Sequence, residues 1–273
     1  MKLVSLLFLI SIATHIFAQD GALEKQPGQS PKLSPNLTPE KPPSANTTMP
    51  ACVILLHGLA RTSQSMLPLG EQLHLLDYVV INVDYPSREF PVATLVEKAI
   101  TPALEKCRRF PISGIHFVTH SLGGILVRYY LSQQKIPELK RVVMMAPPNK
   151  GSQVVDNLRD LPPYNWLNGP AGRELGTDPA SVPNTLGEVN FDLGVIAGTT
   201  SINILLSLYL PDPDDGKVSV ENTKIEGMRD FILLPVSHPY IMKDKEAIAQ
   251  TIHFLRHGTF LHAPAVINEN KEF

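Results

Sequence analysis

Short unbroken apolar runs, each closed by Gly, Pro, Asp or a polar turn, recur along the chain and set its architecture. They are Cys52 to Leu56, Tyr78 to Val83, Ile115 to Thr119, Arg141 to Ala146, Leu193 to Ala197 and Phe231 to Val236. Runs of this length are too short for core helices, and their Val and Ile content suits strands buried on both faces of a parallel sheet. Helical patterns fall between them. Val96, Ile100, Ala103, Leu104 and Cys107 share one helix face, with a kink expected at Pro102, and another helix begins near Leu122. Strands alternating with helices predict an α/β protein, a mostly parallel central sheet of about six strands with helices on both faces and right-handed connections. Ligands in such a sheet bind outside the carboxyl ends of the strands.

The pattern changes at both ends. Met1 to Ala18 has an early Lys2, an apolar stretch from Leu3 to Phe17 and a small residue, Ala18, at a cleavage position, so 1–18 reads as a secretory signal peptide. Its apolar stretch is about 15 residues against the roughly 20 needed to span a bilayer, so no stable membrane span is expected after cleavage. The expected location is outside the cytoplasm, periplasmic or secreted. Residues 19–50 are rich in Pro, Ser, Asn and Thr and read as a disordered linker. The folded domain is expected over 51–260, followed by a C-terminal tail, 261–273. Within the domain, about 149–190 is long and rich in Gly, Pro and Asn, and it carries Trp166, the only tryptophan. It reads as a lid or substrate wall, with a stable surface excursion as the alternative.

Composition narrows the class. The chain has 273 residues, 43% hydrophobic and 18% charged, enough for a large core in one catalytic domain. A net charge of -2 supplies no basic field, which argues against a nucleic-acid partner. Of the 2 cysteines, Cys52 opens the first strand and Cys107 lies on the inward helix face. Pairing is expected in an exported protein, with two buried free thiols as the alternative. Closing that loop of roughly 55 residues stabilises by about 4 kcal/mol in the chain-entropy picture. No cluster has metal-ligand spacing, so neither a metal nor another cofactor is expected.

The candidate chemistry sits at strand ends. Thr119-His120-Ser121-Leu122-Gly123 joins an apolar run to a helix, a turn that lifts the Ser121 hydroxyl clear of the backbone and aims the Leu122 amide at an oxyanion. Such a hydroxyl needs an imidazole to take its proton, and the imidazole needs a carboxylate to fix its tautomer. Pro235-Val236-Ser237-His238 supplies the first, and Asp214-Asp215-Gly216 supplies the second, with the residues alone leaving Asp214 as the rival of Asp215. Asp84, after a different strand, is a weaker contender. His120 adjoins the nucleophile but points elsewhere, and His57 is expected to shape its loop through a hydrogen bond. His116, His253, His257 and His262 read as ordinary surface or partly buried residues. The chain order Ser, Asp, His is that of the α/β-hydrolase fold.

Four separated motifs carry a resemblance: His57-Gly58-Leu59-Ala60-Arg61-Thr62-Ser63, Phe117 through Gly124, Ala146-Pro147-Pro148-Asn149-Lys150-Gly151-Ser152, and Asp214-Asp215-Gly216-Lys217-Val218. Together, from about Ala51 to Phe260, they are similar to the lipase and esterase branch of the α/β-hydrolases, especially exported proteobacterial members. That resemblance implies Ser121 as nucleophile, Asp215 as acid, His238 as base, and the amides of Leu59 and Leu122 as the oxyanion hole. It also implies a small-molecule or lipid ester as substrate, cleaved through an acyl-enzyme. Thioesterase, amidase or acyltransferase chemistry with the same triad, or a silent binding module of the same fold, are the alternatives. Thr119 departs from the family's usual glycine at that position.

Overall fold

A computed structural model of the chain describes residues 49–262. The expected signal peptide, nearly all of the expected linker and most of the expected C-terminal tail lie outside the described residues. Strands β1 Cys52–Leu56, β2 Val79–Val83, β3 Ile115–His120, β4 Leu139–Met145, β5 Leu193–Gly198 and β6 Asp230–Leu234 form one sheet in the order β2-β1-β3-β4-β5-β6. Every pairing is parallel. The expected sheet is therefore present. All residues of β1, β3 and β5 are buried, as an apolar run without alternation requires.

Helices α1 Leu67–His74, α2 Val92–Cys107, α3 Leu122–Gln133, α4 Gln153–Leu158, α5 Pro162–Arg173, α6 Val182–Thr185, α7 Ile204–Ser207, α8 Val220–Thr223 and α9 Lys245–His257 connect the strands. One face of the sheet offers Val53, Leu55, Val118, Val143 and Ile196 to Leu69 and Leu73 of α1 and to Ile248, Phe254 and Leu255 of α9. Helices α2 and α3 cover the other. Gly124 of α3 shows how closely: a Cβ there would stand 3.1 Å from Met144 Sδ and 3.3 Å from Thr119 Oγ1. The absence of a side chain at 124 leaves room for threonine at 119. Buried α2 positions Val96, Ile100, Ala103, Leu104 and Cys107 form the inward stripe, and a single helix runs through Pro102.

Cys107, at the end of α2, is joined to Cys52, at the start of β1, by a disulfide across 55 positions of sequence. Residues 149–190 hold three helices, α4 to α6, and are tied down at several points. Ser152 Oγ donates to Lys217 O at 2.6 Å, and the Val92 amide at the start of α2 donates to Glu174 Oε2 at 2.7 Å. Arg128 of α3, buried, donates from Nη1 to Asn149 O at 2.9 Å and from Nη2 to Pro183 O and Gly187 O at 3.1 and 2.8 Å. Burial without a carboxylate pushes this guanidinium down to about 10. Among the described residues, no helix is long and apolar enough to cross a membrane.

Candidate active site

Strand β3 ends at His120 and α3 begins at Leu122, so Ser121 alone makes the turn, with φ 50° and ψ -118°. A non-glycine residue at positive φ carries strain of order 1–3 kcal/mol that the surroundings must hold. They do so on both sides. The Ser121 amide donates to Met145 O at 2.9 Å, and its carbonyl accepts from the Gly124 amide at 3.0 Å. At Gly123 a Cβ would lie 2.7 Å from Leu56 O, and at Gly58 it would lie 2.6 Å from His120 Nδ1 and 3.2 Å from Ser121 Cβ. Glycine is required at 123 because the turn is pressed onto the backbone of the loop after β1, and at 58 because the His120 ring and the Ser121 side chain fill the space.

His238 follows β6 and faces this turn. Its Nδ1 lies 2.8 Å from Asp215 Oδ2 and its Nε2 lies 3.0 Å from Ser121 Oγ. A carboxylate only accepts, so Nδ1 carries the imidazole proton and donates it to Asp215, which leaves Nε2 to accept from the Ser121 hydroxyl. Asp215 is 0% exposed, while Ser121 and His238 each retain 8%. The second carboxylate oxygen is also satisfied: Oδ1 accepts from the amides of Lys217 and Val218 at 3.0 and 2.9 Å. The acid loop can approach because β5 ends in glycine. A Cβ at Gly198 would sit 2.3 Å from Val236 O and 2.9 Å from Asp215 Cβ.

Asp214 takes no part in this contact. Its Oδ1 accepts from Ser207 Oγ at 2.9 Å and from the Gly216 amide at 2.6 Å, and it lines a separate cavity of about 300 Å³. Asp84 is remote from it too, accepting from the Ser63 amide at 3.0 Å. Between Asp214 and Asp215, only the second reaches the imidazole.

The loop after β1 brings Leu59 to the same place. Ala60, at φ 55°, donates its amide to Ser87 Oγ at 3.1 Å, and the Arg61 amide donates to Gly58 O at 3.3 Å. The Leu59 amide has no partner among the described residues. Leu122 supplies the first amide of α3, one of those a helix leaves without an intrahelical partner. His57 anchors the loop from below: Nδ1 donates to Gly58 O at 2.9 Å, Nε2 accepts from the Tyr85 amide at 3.3 Å, and the ring stacks on Tyr85 at 4.0 Å. Burial lowers its pKa, so the imidazole stays neutral. Gly172 of α5 lies against the far side of this loop, where a Cβ would stand 3.0 Å from Leu59 Cδ2.

Strand β3 carries two further buried histidines. His120 is 2% exposed, with Nε2 3.0 Å from His238 O and its ring centroid 4.8 Å from that of His238. His116, expected at the surface or partly buried, is buried within β3. Other histidines lie elsewhere: His253 and His257 pair on α9, His262 contacts Asp230, and His74 ends α1. Among the described residues no group of three or more His, Cys, Asp or Glu side chains could hold a metal ion.

A family model described as the alpha/beta hydrolase family matches residues 53–217. Among solved structures, the mature form of Bacillus licheniformis lipase BlEst2 superposes with a TM-score of 0.58 at 17% identity, over 79% of this chain and 96% of that one. Phospholipase PlaB from Legionella pneumophila gives 0.59 at 18% identity, over 77% of this chain and 59% of that one. A structure described as LipS and LipT, metagenome-derived lipolytic enzymes, gives 0.56 at 17% identity, over 76% of this chain and 94% of that one. At such identities the likeness is one of fold. No curated protein matches the chain in sequence.

Proposed function

The chain belongs to the alpha/beta hydrolase family, and on that premise we propose that it is a serine hydrolase cleaving carboxylic esters. The observation that carries this reading is the continuous hydrogen-bonded path from Ser121 Oγ through the His238 ring to Asp215 Oδ2, with spans of 3.0 and 2.8 Å. Ser121 is the nucleophile, His238 the base and Asp215 the acid. As Ser121 Oγ bonds to the ester carbonyl carbon, its proton passes to His238 Nε2, and the carbonyl oxygen takes the electron pair. The amides of Leu59 and Leu122 hold that oxyanion. Collapse breaks the ester C–O bond, His238 protonates the leaving alkoxide, and water repeats the sequence on the acyl-enzyme to release the acid.

An apolar acyl group suits the surroundings. From Thr199 to Leu210 the chain carries no charge, and Ile202, Ile204 and Leu208 of this segment are exposed beside the acid loop. The structural neighbours are lipases and phospholipases by name, which supports a lipid or small-molecule ester as substrate. The disulfide fits an oxidising compartment, which supports export to the periplasm or beyond together with the apolar segment Leu3 to Phe17.

Ser121→Ala tests the proposal. Hydrolysis of a short p-nitrophenyl ester should fall by about 10⁴-fold or more, and a fluorophosphonate probe should label the parent chain at Ser121 only. Retained turnover in the variant, or an unlabelled parent, rejects the assignment.

A further inference from the structure

His120 links the loop after β1 to the loop that carries His238. It closes β3, and its ring fills the space above Gly58, where a Cβ would stand 2.6 Å from Nδ1 and 3.0 Å from Cε1. Its Nε2 meets the backbone carbonyl of His238 at 3.0 Å in a buried contact. A carbonyl only accepts, so Nε2 carries the proton and Nδ1 does not. Nδ1 is buried and has no hydrogen-bond partner among the described residues. A proton there would be a buried donor facing nothing, which a protein interior resists. The ring is therefore neutral, in the Nε2–H tautomer.

The main chain of His238 is thereby held at both of its polar atoms. Its amide donates to Asp215 O at 3.0 Å, on the acid side, and its carbonyl accepts from His120, on the nucleophile side. Among the described residues, the imidazole itself is hydrogen-bonded through the two side-chain contacts of the triad. From this geometry we infer that His120 is a positioning residue: its Nε2–H, donated to the His238 carbonyl, sets the distance and angle at which the base meets Ser121 Oγ. This inference rests on the serine-hydrolase reading above. His120 transfers no proton and touches no substrate.

Burial, with His238, Arg61 and His57 nearby, holds its pKa well below the ordinary histidine range. When His238 takes the serine proton, an imidazolium forms 4.8 Å from the His120 ring centre. A second cation at that distance would oppose the proton transfer; a neutral donor bound to the carbonyl does not.

Three measurements test the inference. In ¹⁵N-labelled parent protein, the His120 imidazole should show one protonated nitrogen, Nε2, unchanged between about pH 5 and pH 9. An Nδ1–H tautomer, or titration within that range, overturns it. His120→Phe keeps a ring above Gly58 but donates nothing, and kcat on a short p-nitrophenyl ester should fall by about tenfold to a hundredfold, as misplacement on the 1 Å scale does. KM should stay within about twofold, because the substrate contacts are untouched. His120→Gln can return an N–H near the Nε2 position, so kcat should recover most of that loss. A phenylalanine variant with full kcat, or a glutamine variant no better than it, overturns the inference. The Nδ1–H signal of His238 should also shift between parent and His120→Phe. That readout, like the tautomer, needs no turnover, so a parent chain inert to esters would fail the hydrolase reading separately.

Discussion

Gly123 lies under the carbonyl of Leu56, so close that a Cβ at Gly123 would stand 2.7 Å from that oxygen and 2.9 Å from Leu56 Cβ. The first turn of α3 is thus pressed onto the end of β1, and the loop carrying Leu59 leaves from the same point. Gly123→Ala should force the two apart. Overpacking of this kind costs about 1–3 kcal/mol, and the displaced turn should slow labelling of Ser121 by fluorophosphonate at least tenfold. A variant with parental melting temperature and parental labelling rate would contradict the close packing.

The two adjacent aspartates should separate cleanly in kinetics. Asp215→Asn keeps an oxygen for the amides of Lys217 and Val218 but loses the charge that orients and steadies His238. Its kcat should drop by about 10⁴-fold, the scale seen when a triad carboxylate becomes an amide. Asp214→Asn, which disturbs only contacts to Ser207 and Gly216, should cost less than about tenfold. Equal losses in the two variants would mean that the acid has been misassigned.

Much of this was written in the sequence because buried parallel strands are unbroken apolar runs. Each of the six runs matches its strand to within two residues at either end, and β6 ends at Leu234, where Pro235 removes an amide that pairing would need. The helices of residues 149–190 were harder to see, since Gly, Pro and Asn mask their periodicity. Pro162 and Pro183 at the starts of α5 and α6 were the available signal. Asp215 could be preferred over Asp214 only through family likeness, as both precede the same turn. The place of His120 had no signature at all. A bond to a backbone carbonyl 118 positions away constrains no residue type at its far end.

Reduction should loosen the domain without stopping it. The Cys52–Cys107 bond closes a loop spanning 55 positions, for which the chain-entropy relation gives about 4 kcal/mol. Urea unfolding with and without a reductant should show a midpoint lowered accordingly, while ester turnover at low temperature persists, since neither cysteine touches the triad. Thiol titration of the unreduced, denatured chain should find none free. Two reactive thiols would remove the bond from the account.

Acid should destabilise the fold through His116. Burial pushes this imidazole down to about 4 from 6.5, so between those values the unfolded chain binds a proton that the folded chain does not. Stability therefore rises with pH across that window and is lost as pH falls from 6.5 to about 4, by on the order of 3 kcal/mol for this group. His116→Phe removes the titration and can keep the edge-on contact with Tyr78, whose ring lies 6.2 Å away. Urea midpoints of parent and variant should diverge between about pH 7 and pH 4.5, with the parent falling further. Parallel curves would exclude His116 as a source of acid lability.

Arg128 ties residues 149–190 to the serine-bearing helix. Its guanidinium is bound to the carbonyls of Asn149, Pro183 and Gly187 with no anion beside it. Pulling that stretch away would strand a positive charge in the interior, which opposes its separation from the serine-bearing helix. We propose that this part of the chain selects among substrates as a mould of fixed outline, with variation in what fits coming from the side chains that line it.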